Sequence, residues 1–295
     1  MDNESTEIDI IIPTFNRKDS LKRCINSIIN NNANYLFNIV VVDDVSTDGT
    51  HEMLKSNFPF VNIISNKTTL FPCLSMYKGI TSTHAKFVVR VDDDNELMGD
   101  CLPNLISCLE NDKTIAFCGT VGLLPDRTFS TNLGGYYRGF LKRRILPDTS
   151  NLGGVDKTPY SVETVDNVYA FRREIFTNED WKKPCKWFPW GMEDAYQQFS
   201  ALKRNYNVVV NPKAITIHHQ ARNRKINELQ IKGQLRSKIL CLRECYSYKG
   251  LKLIMASLLY TAYILSYWIY KSNFKHPLHE ILESVLVMIF ALKSD

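Results

Sequence analysis

The sequence has no CxxC pair among its eight cysteines, which fall singly at 24, 73, 101, 108, 118, 185, 241 and 245. Scattered thiols of this kind exclude a zinc ribbon and a secreted disulfide scaffold, and they point to reduced cysteines in a cytosolic compartment. No signal peptide is expected from the first residues either, because MDNESTEID is acidic and polar and has no basic segment leading into an apolar one. No internal repeat or low-complexity tract is visible. With 44% hydrophobic and 23% charged residues, the 295-residue chain is neither disordered nor collagen-like, and its length suits one large domain or two modest ones.

Charge is unevenly spread. The formal total is +5, yet residues 221–295 hold twelve Lys/Arg against five Asp/Glu, which leaves the first 220 residues slightly acidic. The chain therefore divides into a body, 1–220, and a basic C-terminal extension, 221–295.

The first half alternates short apolar runs with amphipathic ones. Ile8–Ile12 reads as a parallel strand covered on both faces, broken by Pro13 and Asn16. Leu21, Cys24, Ile25, Ile28 and Ile29 follow at helical spacing, with Asp19 or Ser20 as N-cap. Ile39–Val42, Phe60–Ile64 and Phe87–Val91 read as further strands. Between them lie a short helix after the polar loop 46–50 and a helical stretch around 74–81. This alternation predicts an α/β domain with parallel strands and right-handed crossovers. Beyond residue 125 the pattern loosens, and 125–160 reads as loop-rich. Val165–Arg172 regains strand character, 194–204 is helical, and Val208–Val210 and Ala214–Ile217 read as two final strands.

In such sheets, ligands bind beyond the carboxyl ends of the strands. This chain puts polar clusters at three of them: Pro13–Arg17, Asp43–Asp48 and Asp92–Asn95. The sharpest is Asp92-Asp93-Asp94. Adjacent carboxylates repel, and a site lined by them calls for a divalent cation. Oxygen ligands favour Mg²⁺ or Mn²⁺, which complete their shells with water and substrate phosphates, so a diphosphate-bearing substrate is the natural partner. The plain alternative is a solvated acidic turn. Arg90, two residues upstream, reads as a structural ion-pair partner of one of these carboxylates. A second cluster is Phe188-Pro189-Trp190-Gly191-Met192-Glu193-Asp194. Glu193 and Asp194 open a helix, where carboxylates also serve as ordinary caps. Alternatively, one of them is a general base whose basicity is raised by apolar Phe188 and Trp190. His218-His219 follow the last strand, with either a structural or a metal-binding role open to them.

Taken together, Ile-Ile-Ile-Pro13-Thr14-Phe15-Asn16-Arg17, Val-Val-Val-Asp43-Asp44-Val45-Ser46-Thr47-Asp48-Gly49-Thr50, Val91-Asp92-Asp93-Asp94 and Gly191-Met192-Glu193-Asp194 resemble the inverting family-2 glycosyltransferases over about residues 8–220. Arg236–Leu240 is similar to the helical region that often follows that catalytic domain. The resemblance implies a GT-A fold: a Rossmann-like mixed, mainly parallel sheet flanked by helices, here followed by a helical, apolar C-terminal extension. It also implies a metal-assisted transfer of the hexosyltransferase type, using a UDP-, GDP- or dTDP-sugar. Carried over motif by motif, Pro13, Thr14, Phe15 and Arg17 would line the nucleoside pocket, Asp44 would hydrogen-bond the base, and Asp93 would contact ribose. Asp94, with Asp92 and His218, would hold Mg²⁺ or Mn²⁺ at the diphosphate. Asp194, with Glu193 second, would deprotonate the acceptor hydroxyl. The family often carries an Arg-Asn pair in the helix before the acidic strand. Here that stretch is Ser75-Met76-Tyr77-Lys78-Gly79, which departs from the family pattern and leaves Lys78 as a candidate for that donor contact.

Leu253–Tyr270 carries no charge over eighteen residues, a helix of about 27 Å at 1.5 Å per residue. Lysines flank it, Tyr267, Trp268 and Tyr270 cluster at one end, and residues 221–252 hold nine Lys/Arg against two Glu. The expectation is membrane contact at the cytoplasmic face, by an in-plane hairpin or a span, with packing on the catalytic domain as the alternative. Nucleic acid is not expected as a partner. A lipid-linked or glycan acceptor suits this placement. The basic Tyr136–Arg144 segment reads as a surface loop or a gate. Two other functions are weighed. A sugar nucleotidyltransferase would need a Gly-rich loop where this chain has Pro13–Arg17, and a non-catalytic nucleotide-sugar-binding scaffold would not need Glu193-Asp194.

Overall fold

A computed structural model of the chain describes residues 8–30, 36–130, 133–148, 158–175, 193–219 and 237–271. Its N-terminal half follows the predicted alternation. Strands β1 (Ile8–Thr14), β2 (Phe37–Asp43), β3 (Asn62–Ser65) and β4 (Phe87–Val91) alternate with helices α1 (Lys18–Asn30), α2 (Thr50–Asn57) and α3 (Phe71–Thr81). A tight turn then leads into β5 (Asn95–Met98), followed by α4 (Cys101–Asn111) and β6 (Ile115–Leu123). β7 (Tyr136–Arg138) and β8 (Arg143–Ile145) form a separate hairpin. β9 (Tyr160–Val162), β10 (Val168–Arg172), α5 (Glu193–Lys203) and β11 (Asn207–His218) complete the body. A helix over 237–244 (α6) and another at Gly250–Lys271 (α7) follow.

The main sheet runs β3-β2-β1-β4-β10-β6-β11-β5, with β9 also paired to β11. The pairing senses make β1, β2, β3, β4, β6 and β11 point one way, while β5, β9 and β10 oppose them. This is the mixed, mainly parallel sheet that the family resemblance implies, where the strand–helix alternation alone predicts a parallel one. Alternation along β1 divides the core. Ile8, Ile10 and Ile12 pack with α1, α2 and α4, whereas Ile11 faces Met76 and Ile80 of α3. Both faces are covered, which is why β1 reads as a near-continuous apolar run, its one charged residue, Asp9, being buried and paired with Arg173 at 2.9 Å. α3 lies so close to the sheet that a Cβ on Gly79 would sit 2.4 Å from Ile11 Cγ2.

Several expectations change. α1 starts at Lys18 rather than after Asp19 or Ser20, because its first amide is bonded to the Asp48 carboxylate at 2.9 Å, from a loop thirty residues on. β3 starts at Asn62, since Val61 N–H turns back to Phe58 O at 3.0 Å and Phe60 is exposed. The two predicted final strands are one, β11. Asn211 and Pro212 form an irregularity between Val210 and Ile215, where Asn211 Nδ2 donates to Asn104 O and its Oδ1 accepts from Lys213 N.

The Tyr136–Arg144 segment is not a plain surface loop. It forms the β7–β8 hairpin, with Tyr137 buried and Arg144 forked onto Asp166 at 2.6 and 2.7 Å. The hairpin also holds the extension. Tyr137 packs with Phe199 and Cys241, and the Tyr248 hydroxyl donates to Phe140 O at 2.6 Å. α7 buries Leu253, Ala256, Ser257, Thr261 and Ile264, and exposes Leu251, Ile254, Met255, Leu258, Leu259 and Tyr263 on its opposite face. Among the described residues no helix is long and apolar enough to cross a membrane. The seven described cysteines are free thiols.

Candidate functional site

The carboxyl ends of β1, β2 and β4 meet at one edge of the sheet. Parallel pairing in register does this, placing Thr14 beside Asp43. Two loops clasp there. Asn16, with φ of 51°, accepts Thr47 N–H at 2.7 Å, and Ser46 Oγ accepts Asn16 N–H at 2.9 Å. Val45 takes a φ of 68°, a left-handed value rare for a β-branched residue, and Gly49 one of 84°. The Ser/Thr/Asp/Gly loop is thus built as a rigid rim rather than a slack connection. Asp48 closes it by accepting from Thr50 N and Oγ1 as well as from Lys18 N.

The acidic trio sits on the β4–β5 turn, which Asn95 N–H closes onto Asp92 O at 3.0 Å. Two of the side chains share Arg17, and the third turns away. Asp93 accepts from Thr14 Oγ1 at 2.7 Å and from Arg17 Nη1 at 2.9 Å. Asp94 accepts from the same guanidinium at 2.6 Å and faces His218 Nε2 at 3.5 Å. Asp92 turns the other way, to Arg90 Nε at 3.0 Å. Burial pushes Asp93 up to about 6 against the pull of Arg17 and Thr14. Burial also acts on Asp94, but His218 and Arg17 outweigh it and hold that carboxyl down at about 2. Asp92 is raised, chiefly by burial. Desolvation of Arg17 is outweighed by its two carboxylates, so its charged form is favoured.

β11 brings His218 to this turn, because its end pairs with β5: His218 lies opposite Asn95, and His219 N–H donates to Asp94 O at 2.8 Å. His218 Nδ1 lies 3.1 Å from the Asn167 amide, whose backbone carbonyl accepts Asp92 N–H. His219 faces Glu96 instead, at 3.1 Å. Among the described residues, no three His, Cys, Asp or Glu side chains are gathered as a complete metal cage. The pair Asp94 and His218, with the buried Asn95 Oδ1 beside them lacking a hydrogen-bond partner, still fits a cation that takes few protein ligands and completes its shell from a diphosphate.

Asp44 is buried and fully engaged. One oxygen accepts Asn66 Nδ2 and Leu70 N, and the other accepts Phe71 N, so the carboxylate anchors the start of α3. Lys78 of α3 donates to Asn66 Oδ1 at 2.9 Å, which ties it into the same corner. Pro13 is half-buried at the loop and Phe15 is half-exposed at 50%. Asp194, in the first turn of α5, accepts from Arg90 Nη1 and from the Tyr169 hydroxyl at 2.7 Å. The side chain of Glu193 and all of Phe188 and Trp190 lie outside the described residues. Tyr169 and Asn167 carried no sequence signal of a site: both fall within Val165–Arg172, which reads as a strand. A cavity of about 520 Å³ lies at the opposite end of β6 and β11, lined by Asn104, Asn111, Asn207 and Asn211 among others, and is separate from this edge.

Residues 9–159, just over half of the chain, match the family model described as Glycosyl transferase family 2. The chain is 29% identical over 122 residues to an uncharacterized glycosyltransferase, YibD, of Escherichia coli K12, covering 40% of this chain and 35% of that protein. It is 31% identical over 116 residues to the abequosyltransferase RfbV of Salmonella typhimurium LT2, covering 38% and 35%. The chain thus spans about a third of the length of these curated relatives. Among solved structures, GalNAc-T7 with UDP, GalNAc and Mn²⁺ superposes with a TM-score of 0.63 at 17% identity, covering 83% of this chain and 50% of that one. The mannosyltransferase PcManGT of Pyrobaculum calidifontis, in complex with GDP-Man and Mn²⁺, gives 0.58 at 14% identity, covering 98% and 86%. These two likenesses concern the fold.

Proposed function

The chain belongs to glycosyl transferase family 2, and on that premise we propose that it is an inverting glycosyltransferase, moving a sugar from a nucleotide-diphosphate donor to a lipid-linked or glycan acceptor. The observation that carries the reading is the convergence of Thr14, Arg17, Asp93, Asp94, His218 and Asp194 from four parts of the fold: β1 with its following loop, the β4–β5 turn, β11 and α5.

Pro13, Thr14 and Phe15 line the nucleoside, and Asp93, aimed by Thr14 and Arg17, accepts from ribose. Asp44 shapes the base pocket by holding Leu70 and Phe71 in place. Asp94 and His218, with Asp92 nearby, would hold Mg²⁺ or Mn²⁺. When bound, the ion supplies positive charge that stabilises the departing diphosphate. Asp194, with Glu193 as the neighbouring carboxylate, takes the proton of the acceptor hydroxyl. The acceptor oxygen forms its bond to the anomeric carbon from the face opposite the nucleotide, and the old C–O bond leaves with its electron pair on the diphosphate. Single displacement of this kind inverts the anomeric centre.

Membrane surface is the second partner in this reading. The exposed apolar face of α7 is accompanied by exposed Arg143, Lys249 and Lys252, an arrangement suited to lying in the interface of an anionic bilayer. Arg143 stacks 5.9 Å from the Tyr263 ring, which joins the basic hairpin to that face. A lipid-linked acceptor would then be met at the cytoplasmic leaflet.

Calorimetric titration of UDP, GDP and dTDP, with and without Mn²⁺, tests the donor site in the wild type and in Asp94→Asn. Metal-dependent binding of one nucleotide, lost in the variant, is expected. Folded protein that binds none of them would overturn the reading and leave a membrane scaffold role.

A further inference from the structure

Arg90 lies in the middle of the sheet, on β4, with its side chain only 7% exposed. A buried guanidinium is costly unless its donors are satisfied, and a lone structural pair would need one carboxylate. Arg90 has two, from different parts of the fold. Its Nε donates to Asp92 Oδ1 at 3.0 Å, and its Nη1 is bonded to Asp194 Oδ1. Tyr169 on β10 is the cross-strand neighbour of Arg90 in the β4–β10 ladder. Its ring lies 5.9 Å from the guanidinium carbon, and its hydroxyl donates to the same Asp194 oxygen at 2.7 Å. Both donors therefore reach Asp194 from one rigid pair of central strands. The carboxylate itself is in the first turn of α5, where its own backbone leaves the χ angles unset.

We infer that Arg90 and Tyr169 are positioning residues, which fix the Asp194 carboxylate at the reaction centre and tie it to the acidic turn through Asp92. This rests on the reading of Asp194 as the base. A base must be held to within a few tenths of an ångström of the proton it takes, and side chains locked by neighbouring hydrogen bonds achieve that better than a free rotamer. Arginine suits the task because its planar fork reaches two carboxylates at once. Lysine offers a single point charge and cannot bridge them in the same geometry. The arrangement also makes the placement of the base depend on the strand that carries the acidic turn, so that donor-side and acceptor-side carboxylates are set by one guanidinium.

Tyr169→Phe removes one hydrogen bond and keeps the packing, and Arg90→Lys keeps the charge and loses the bridge. Turnover is read as nucleoside diphosphate released, with water as acceptor, from UDP-, GDP- and dTDP-sugars; nucleotide affinity is read by calorimetry, and folding by circular dichroism and melting. In Tyr169→Phe, kcat should fall about tenfold while donor KM and nucleotide Kd stay within about twofold, since the lost bond acts only on the base. Arg90→Lys should lower kcat further. Tyr169→Phe added to Asp194→Asn should cause no additional loss, because the residue it positions is already disabled. Folded Tyr169→Phe and Arg90→Lys variants with wild-type kcat, or a Tyr169→Phe loss undiminished in the Asp194→Asn background, would overturn the positioning role and leave the base assignment standing. Wild-type turnover in Asp194→Asn, or no release by the wild type from any donor, would instead remove the base reading and this inference with it.

Discussion

Arg17 Nη1 lies 2.6 Å from Asp94 Oδ2, so the guanidinium of the first strand's loop supplies the counter-charge for the acidic turn of the fourth. The same nitrogen is 2.9 Å from Asp93 Oδ1. One arginine thus offsets two of three adjacent carboxylates and links the loop after β1 to the acidic β4–β5 turn.

Removing that charge should expose the repulsion within the turn. In Arg17→Met, the metal-free protein is expected to lose about 2 kcal/mol of stability, as when one partner of a part-buried ion pair is deleted. Added Mn²⁺ should raise the melting temperature of the variant more than that of the wild type, because it offsets charge the arginine no longer covers. Thermal melts with and without Mn²⁺ measure this. Equal metal-induced shifts in the two proteins would contradict it.

Asp93 gives a pH signature. Burial raises its carboxyl to about 6 in the folded protein, above the usual value of about 4. A raised folded value means the native state binds the proton more tightly. The contribution is therefore complete below about pH 4 and is lost as pH rises through about 6, on the order of 3 kcal/mol in all. Asp93→Asn lacks this titration, so the stability of the wild type relative to the variant should fall between pH 4 and pH 8. Urea denaturation of both proteins across that range checks the slope, and a constant difference would rule it out.

Gly79 marks the closest approach of α3 to the sheet. A methyl there would meet Ile11 Cγ2 at 2.4 Å and Val42 Cγ2 at 3.1 Å. Gly79→Ala should cost about 1–3 kcal/mol by overpacking, although alanine favours helix. Chemical denaturation measures it, and a neutral or stabilising result would mean that α3 can move outward freely.

The exposed face of α7 predicts vesicle binding. Co-sedimentation with phosphatidylglycerol vesicles should be strong in the wild type and weak with phosphatidylcholine alone, because the accompanying residues are basic. Ile254→Glu with Leu258→Glu should reduce binding at least tenfold without unfolding the protein, since both side chains are exposed. Undiminished sedimentation of the double variant would remove α7 from the interface.

By itself, the sequence determined the alternating half of the fold and the edge at which the site forms. Ile8–Ile12, Ile39–Val42 and Phe87–Val91 announce strands covered on both faces because their residues are mostly apolar, with the buried Asp9 and Arg90 each paired, and the polar loops after them gather at their carboxyl ends. Local residue types also marked Asp92–Asp94, Asp194 and His218 as candidates. Tertiary structure decided what each of them touches. The cap of α1 comes from Asp48, the β4–β5 turn meets His218 only through the β5–β11 register, and Arg90 reaches Asp194 across 104 positions of chain. The hairpin at 136–145 gave no periodic signal because each of its strands has three residues, too few to show alternation, and its Arg144 is held from outside by Asp166. Spacing along a chain encodes which face a residue takes within its own element. Contacts between elements depend on register and on long-range ion pairs, which no local window contains.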